Sequence, residues 1–197
     1  MTTDQPITHY AELAAQVYND PPDFGGVKTA ARAKLYDGGQ VLVFRGTDNF
    51  QTWLADLEVA PTRSGQLGVL HAGFYEAWEE VAEQVLGLTT PPSVVVGHSE
   101  GGALATLCAG AMTLAGRGPS QLLTFEPPRL AMDGVLGGIL SHEGVLCWAS
   151  RHAIDPVPWV PSWARLPFAY SDIGHFQVDH LDPIWYHLIE NLIPALS

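Results

Sequence analysis

The sequence predicts an α/β fold, a mostly parallel central sheet with helices on its faces. Three observations carry that prediction. Short apolar runs rich in β-branched residues recur along the chain, among them "QVLVF", "SVVV" and "QLLTF". Longer segments between them carry apolar residues at helical spacing. The stretches "TTPPS" (89–93) and "RGPS" (117–120) are short and sit between apolar segments, so they read as loops and not as linkers. Strands that alternate with helices favour a parallel sheet. With 197 residues, 47% of them hydrophobic, the expectation is a single domain over residues 1–197 with a substantial core.

The elements follow in order. "ITHYAELAAQVYND" places Tyr10, Leu13, Ala14 and Val17 on one helical stripe, with Thr8 as N-cap and Pro21-Pro22 as the stop. "TAARAKLY" and "QVLVFRG", joined by "DGG", read as an antiparallel hairpin whose second strand is buried. "GFYEAWEEVAEQVLGL" is an amphipathic helix with Phe74, Trp78, Val81 and Val85 on its apolar face. "SVVVG" is a short buried strand, and "SEGGALATLCAGAMTLAG" is a helix of small residues suited to close packing on a sheet. "QLLTF" and "GVLCWAS" are two further buried strands. "DPIWYHLIENLI" closes the chain as one amphipathic helix.

A formal net charge of −12 with only nine Lys and Arg excludes a basic stripe for nucleic acid. The same charge disfavours anionic lipid surfaces. No run reaches the roughly 20 apolar residues that span a bilayer. The start, "MTTDQPITHYAEL", lacks the basic and apolar regions of a signal peptide. Either export by that route is absent or a leader has been replaced by the initiating Met. Cys108 and Cys147 lie in apolar surroundings and read as buried free thiols. His and Asp show no metal-ligand spacing, so no metal or cofactor is expected. The oligomeric state is not readable.

Chemistry concentrates at "GHSEG", residues 97–101. A serine between glycines, after a buried strand and before a helix, fits the G-x-S-x-G elbow. Such a turn is too tight for side chains on the flanking positions, and it holds the Ser99 hydroxyl above the sheet at a helix N-terminus. Helix-end amides there favour negative charge. The backbone N–H of Glu100 is one expected half of an oxyanion hole.

With these residues in view, the chain resembles the class 3 lipases, the family of the fungal triacylglycerol lipases. The resemblance runs over residues 41–186 through "VLVFRGT", "WLADL", "LHAGFYEAW", "VVVGHSEGGALATLCA", "LLTFEPPR", "IDPVPWVP" and "VDHLDPIWY", in the family's order. It implies an α/β-hydrolase fold with a short helical lid and a Ser–Asp–His triad.

A serine hydroxyl needs a base, and the base an orienting carboxylate. By the resemblance Asp155, in the D-x-V-P block, is that carboxylate, though an Asp before Pro156 also suits a turn. The histidine block points to His180 as the base, with His175 second. His187 falls within the expected closing helix, where a surface or core role is the simpler reading. His98 is expected to pack the elbow. "FRGT" implies that the Thr47 backbone N–H completes the oxyanion hole.

Directly after it, "DNFQTWLADL" sets Phe50, Trp53, Leu54 and Leu57 at i, i+3, i+4 and i+7. The resemblance makes this helix the lid; an ordinary surface helix is the alternative. Two departures stand out, Glu100 where the family usually has Leu and Glu126 where it has Gly. A carboxylate beside the catalytic imidazole would favour its protonated form. One at a helix start would only favour the dipole.

The expected function is therefore serine ester hydrolysis through an acyl-enzyme, on acylglycerol-type esters at a lipid–water interface. The alternatives are an esterase for small or aryl (feruloyl-type) esters, a phospholipase A1, and a catalytically silent binding module.

Overall fold

The computed structural model describes residues 5–47, 60–152, 154–173 and 183–196. Helix α1 spans Ile7–Gln16, and strands β1 (Phe24–Gly25), β2 (Arg32–Tyr36) and β3 (Val41–Phe44) follow. After β4 (Pro61–Arg63) and β5 (Val69–His71) come α2 (Ala72–Leu86), β6 (Val94–His98) and α3 (Glu100–Leu114). The chain continues through β7 (Gln121–Phe125), α4 (Val135–His142), β8 (Leu146–His152) and β9 (Tyr170–Ile173). Two short helices come last, α5 (Pro183–His187) and α6 (Ile189–Leu192).

The main sheet runs in the order β1-β2-β3-β6-β7-β8-β9. From β3 to β9 every pairing is parallel, and β1 and β2 add an antiparallel edge. Side chains alternate across this sheet because successive residues of a strand face opposite ways. Leu42, Phe44, Val95 and Leu122 face α2, α3 and α4, where Phe74, Trp78, Leu104, Leu107 and Leu136 complete one core. Val41, Val43, Val94, Val96, Leu123 and Phe125 face the other way, onto Tyr10, Leu13 and Val17 and onto Ile189 and Leu192. Strands covered on both faces read as continuous apolar runs, which is what "VLVF" and "VVV" are.

Helix α3 has almost no polar face because α2 and α4 cover what the sheet does not. Its small residues are a contact requirement. A methyl group on Gly110 would collide with Leu136, and one on Gly101 would collide with the Phe44 carbonyl oxygen.

Several local expectations are corrected. Pro6, not Thr8, stands at the N-cap of α1, and the helix ends at Gln16, well before the two prolines. His71 caps α2 by accepting a 3.4 Å hydrogen bond from the Phe74 N–H. The closing helix is two pieces, broken at Leu188, whose ψ of 123° is extended. Helix α4 and strands β1, β4, β5 and β9 add to the expected elements. Cys108 is buried and Cys147 half-buried, and both are free thiols. The lid residues Phe50, Trp53, Leu54 and Leu57 lie outside the described residues.

Parallel pairing also decides where polar residues can gather. β3, β6, β7 and β8 are parallel neighbours, so the residues just beyond them collect along one edge of the sheet. Those residues are Gly46 and Thr47, Ser99, Glu126 and Asp155. Ligand sites of open α/β sheets lie along this carboxyl edge.

The contact between α3 and β3 allows a direct check. Gly101→Ala forces a Cβ against the backbone of Phe44 and Arg45, which cannot rotate away. Overpacking of that kind should cost about 3 kcal/mol, read as a lower urea midpoint with an unchanged slope.

Candidate active site

Ser99 stands between β6 and α3 with φ 57° and ψ −131°, a backbone region L-residues seldom enter. Its surroundings hold it there. The Ser99 N–H donates to the Phe125 carbonyl at 2.9 Å, and its own carbonyl accepts from Gly102 N–H at 2.8 Å. A side chain on Gly97 would strike the backbone of Gly101, and a Cβ on Gly46 would sit 3.1 Å from Ser99 Cβ. Three glycines thus let β3, β6 and α3 meet at the elbow, and the hydroxyl is presented over the strand ends.

His187, the last residue of α5, meets that hydroxyl. Its Nε2 lies 2.8 Å from Ser99 Oγ, and its Nδ1 lies 2.9 Å from Asp155 Oδ2. Asp155 is fully buried, and its other oxygen accepts from the Val157 N–H at 2.9 Å. The turn role and the partnership with an imidazole therefore coexist in Asp155. Among the described residues, His187 occupies the place between Ser99 and Asp155 that was expected for His180. His180 and His175 lie outside the described residues. The break at Leu188 ends α5 at His187, the residue whose ring meets Ser99 and Asp155. A continuous helix was expected instead. The available signal was a third histidine after Asp155, standing beside the buried Tyr186.

His98 supports this imidazole from below. Tyr18 O–H donates to His98 Nδ1 at 2.8 Å, and His98 Nε2–H donates to the His187 carbonyl at 2.9 Å. The two rings stack with centroids 4.9 Å apart. Burial holds the His98 ring well below the usual imidazole range, with the nearby His187 adding to the effect, so it stays neutral. The expected packing role is thus a hydrogen-bonded one.

Glu126, directly after β7, closes the cluster with φ 52° and no exposure. Its carboxyl lies 3.4 Å from His98 Nε2 and 3.8 Å from both His187 Nδ1 and His152 Nδ1. Neither oxygen has a hydrogen-bond partner among the described residues. Burial first, and then the charge of Asp155, push its proton affinity well above the usual carboxyl range. Sequence reasoning weighed Glu100 as the carboxylate beside the base, and the structure gives that place to Glu126. Glu100 makes no hydrogen bond or ion pair among the described residues, and burial alone raises its carboxyl to about 7.

His98, Glu126 and His187 also form a three-residue group with metal-ligand atom types. The donor set does not suit an ion. His98 uses one ring nitrogen for Tyr18 and the other as a donor, while His187 uses its two for Ser99 and Asp155. Thr47 follows Gly46 at the same edge, partly buried.

The family model for "Lipase (class 3)" matches residues 41–164. This chain belongs to the class 3 lipase family. It is similar to secreted mono- and diacylglycerol lipase 1 of Fusarium solani, 32% identical over 131 residues, 61% of this chain and 39% of that protein. It is also similar to the lipase of Rhizomucor miehei, 35% identical over 134 residues, 61% of this chain and 37% of that protein. The chain therefore spans about two fifths of the length of these curated relatives. Among solved structures, the native Rhizomucor miehei lipase propeptide complex aligns with a TM-score of 0.71 at 23% identity, covering 86% of this chain and 68% of that one. A fungal lipase–inhibitor complex, presented as a model for interfacial activation in lipases, aligns at 0.67 and 23%, covering 87% and 79%. At these identities the structural likeness speaks for the α/β-hydrolase fold. Among the described residues of this family member, no helix is long and apolar enough to cross a membrane.

Glu100 yields a pH prediction whose sign is fixed by its raised folded value. The folded state holds the proton more tightly than the unfolded one, so the group costs nothing at acid pH. The cost grows as pH rises from about 4.5 to about 7 and is constant above that. Glu100→Gln should gain roughly 2–3 kcal/mol on wild type between pH 4.5 and 8. Urea unfolding of both proteins at the two pH values measures it, and parallel changes would refute a buried Glu100.

Proposed function

We propose that this chain is a serine carboxylic ester hydrolase acting on acylglycerol-type esters through an acyl-enzyme. One observation carries the reading: a hydroxyl on a strained elbow, an imidazole and a buried carboxylate joined by hydrogen bonds of 2.8 and 2.9 Å. Family membership agrees with it, and the names of the relatives support acylglycerols as the substrate class.

In the proposed reaction Ser99 Oγ bonds to the ester carbonyl carbon while its proton passes to His187 Nε2. The carbonyl π electrons move onto oxygen, where the backbone N–H groups of Thr47 and Glu100 are the proposed donors. Each such donor is worth about 3 kcal/mol of barrier. Asp155 keeps the Nδ1 proton in place, so that Nε2 is the free base, and it stabilises the imidazolium that forms. Collapse breaks the ester C–O bond, and His187 returns the proton to the departing alcohol. Water then repeats the sequence against the acyl-enzyme and releases the acid. The segment with Phe50, Trp53, Leu54 and Leu57 is proposed as the lid over this site.

Ser99→Ala and His187→Ala should each lower kcat on a soluble p-nitrophenyl ester by at least about a thousandfold without unfolding the protein. The double variant should lose little more, because the residues act as one unit. His180→Ala should retain turnover; loss there with retention in His187→Ala would overturn the assignment of the base. Hydrolysis undiminished in Ser99→Ala would return the chain to the binding-module reading.

The lid has its own test. Trp53→Ala should weaken action on dispersed long-chain esters more than on soluble short ones. Equal losses, or none, would overturn the lid role of that segment.

A further inference from the structure

Glu126 is costly in three ways that its neighbours do not relieve. Its side chain is wholly buried, neither carboxyl oxygen has a hydrogen-bond partner among the described residues, and its backbone sits at φ 52°. A buried polar group without a partner calls for a reason. The reason lies in what surrounds it. His98 approaches from the end of β6, His152 and Asp155 from the end of β8, and His187 from α5. Of these, the His187 Nδ1 is the atom whose proton the proposed reaction must hold.

We propose that Glu126 is a second carboxyl of the triad, a positioning residue set to receive the His187 Nδ1 proton when Asp155 does not. This rests on the serine hydrolase reading. Glu126 Oε2 stands 3.8 Å from that nitrogen, against 2.9 Å for Asp155 Oδ2. The two carboxyls reach one imidazole from the ends of adjacent parallel strands, β7 and β8. Burial first, and the charge of Asp155 second, favour the protonated form of Glu126. At rest it is a neutral acid beside the working pair. Once the Asp155 charge is removed, that repulsion ends while burial still favours the proton, and Glu126 gives it to solvent only as pH rises. Its carboxylate then has both oxygens free to accept Nδ1–H after a shift of about 1 Å, within side-chain reach.

The test is kcat/KM against pH on a soluble p-nitrophenyl ester for Asp155→Ser and for Asp155→Ser with Glu126→Gln. Serine opens space beside Nδ1 and retains an acceptor for the Val157 N–H. The single variant should keep at least about tenfold more activity than the double. Its rate should rise with pH along a limb that the double lacks. Equal rates with superimposable profiles overturn the proposal. If Asp155→Ser does not fold by circular dichroism, Asp155→Ala, which also opens that space, carries the same comparison. If Glu126→Gln does not fold, Glu126→Gly, which relieves the positive φ, replaces it. Ser99→Ala separates the two readings: hydrolysis persisting there overturns the serine reading and this proposal with it. Activity lost in Ser99→Ala but equal with and without Glu126 overturns this proposal alone.

Discussion

The contact of three backbones around Ser99 is the constraint on which the rest of the structure depends. β3, β6 and α3 come so close that Gly46, Gly97 and Gly101 have no room for a Cβ. That approach forces the serine into the left-handed region, a penalty on the order of 1 kcal/mol that the surrounding sheet easily outweighs. Everything reactive is then positioned by strand register. Phe44, Gly97, Thr124 and Ala149 lie in register across parallel strands, and the side chains of the site come a few residues later. The hydrophobic effect, acting on both faces of those strands, is therefore what fixes distances between polar atoms.

Beneath the elbow lies a cluster of buried titratable groups that an ordinary core would exclude. His98, Glu126, His152, Asp155 and His187 are all buried. Most are satisfied by fixed donors or acceptors: Tyr18 and the His187 carbonyl for His98, the Tyr186 carbonyl for His152, Val157 N–H for Asp155. Low local polarity makes these bonds strong and makes any unpaired member costly. Glu126 is the unpaired member, and it touches every histidine of the cluster. The arrangement concentrates that cost beside the imidazole that meets Ser99.

Membership of the class 3 lipase family gives the fold its context. One sheet, helices on both faces and two brief closing helices suffice to bring serine, imidazole and carboxylate together. The closing helices do two jobs at once. Ile189 and Leu192 seal the second core, while the residues just before them carry the imidazole to the strand ends. Packing of α6 thus holds α5 in place.

The sequence by itself determined the elements that bury apolar surface in a repeating pattern. The strands around Val41–Phe44, Val94–His98 and Gln121–Phe125, the helix of small residues, and the elbow with Ser99 were all legible, because period and glycine spacing are local properties. Asp155 was singled out through the resemblance of its D-x-V-P block to that of the family. The short strands β1, β4, β5 and β9 were not legible, since two to four residues carry too little pattern. Nor were the partners of the cluster. That His187 meets Ser99 depends on how the closing helices pack against the strand ends. Whether Glu100 or Glu126 faces the imidazole depends on which strand end the helix α5 comes to rest against. Both are decided by contacts between residues 60 and more positions apart, and only the tertiary structure brings those residues within reach.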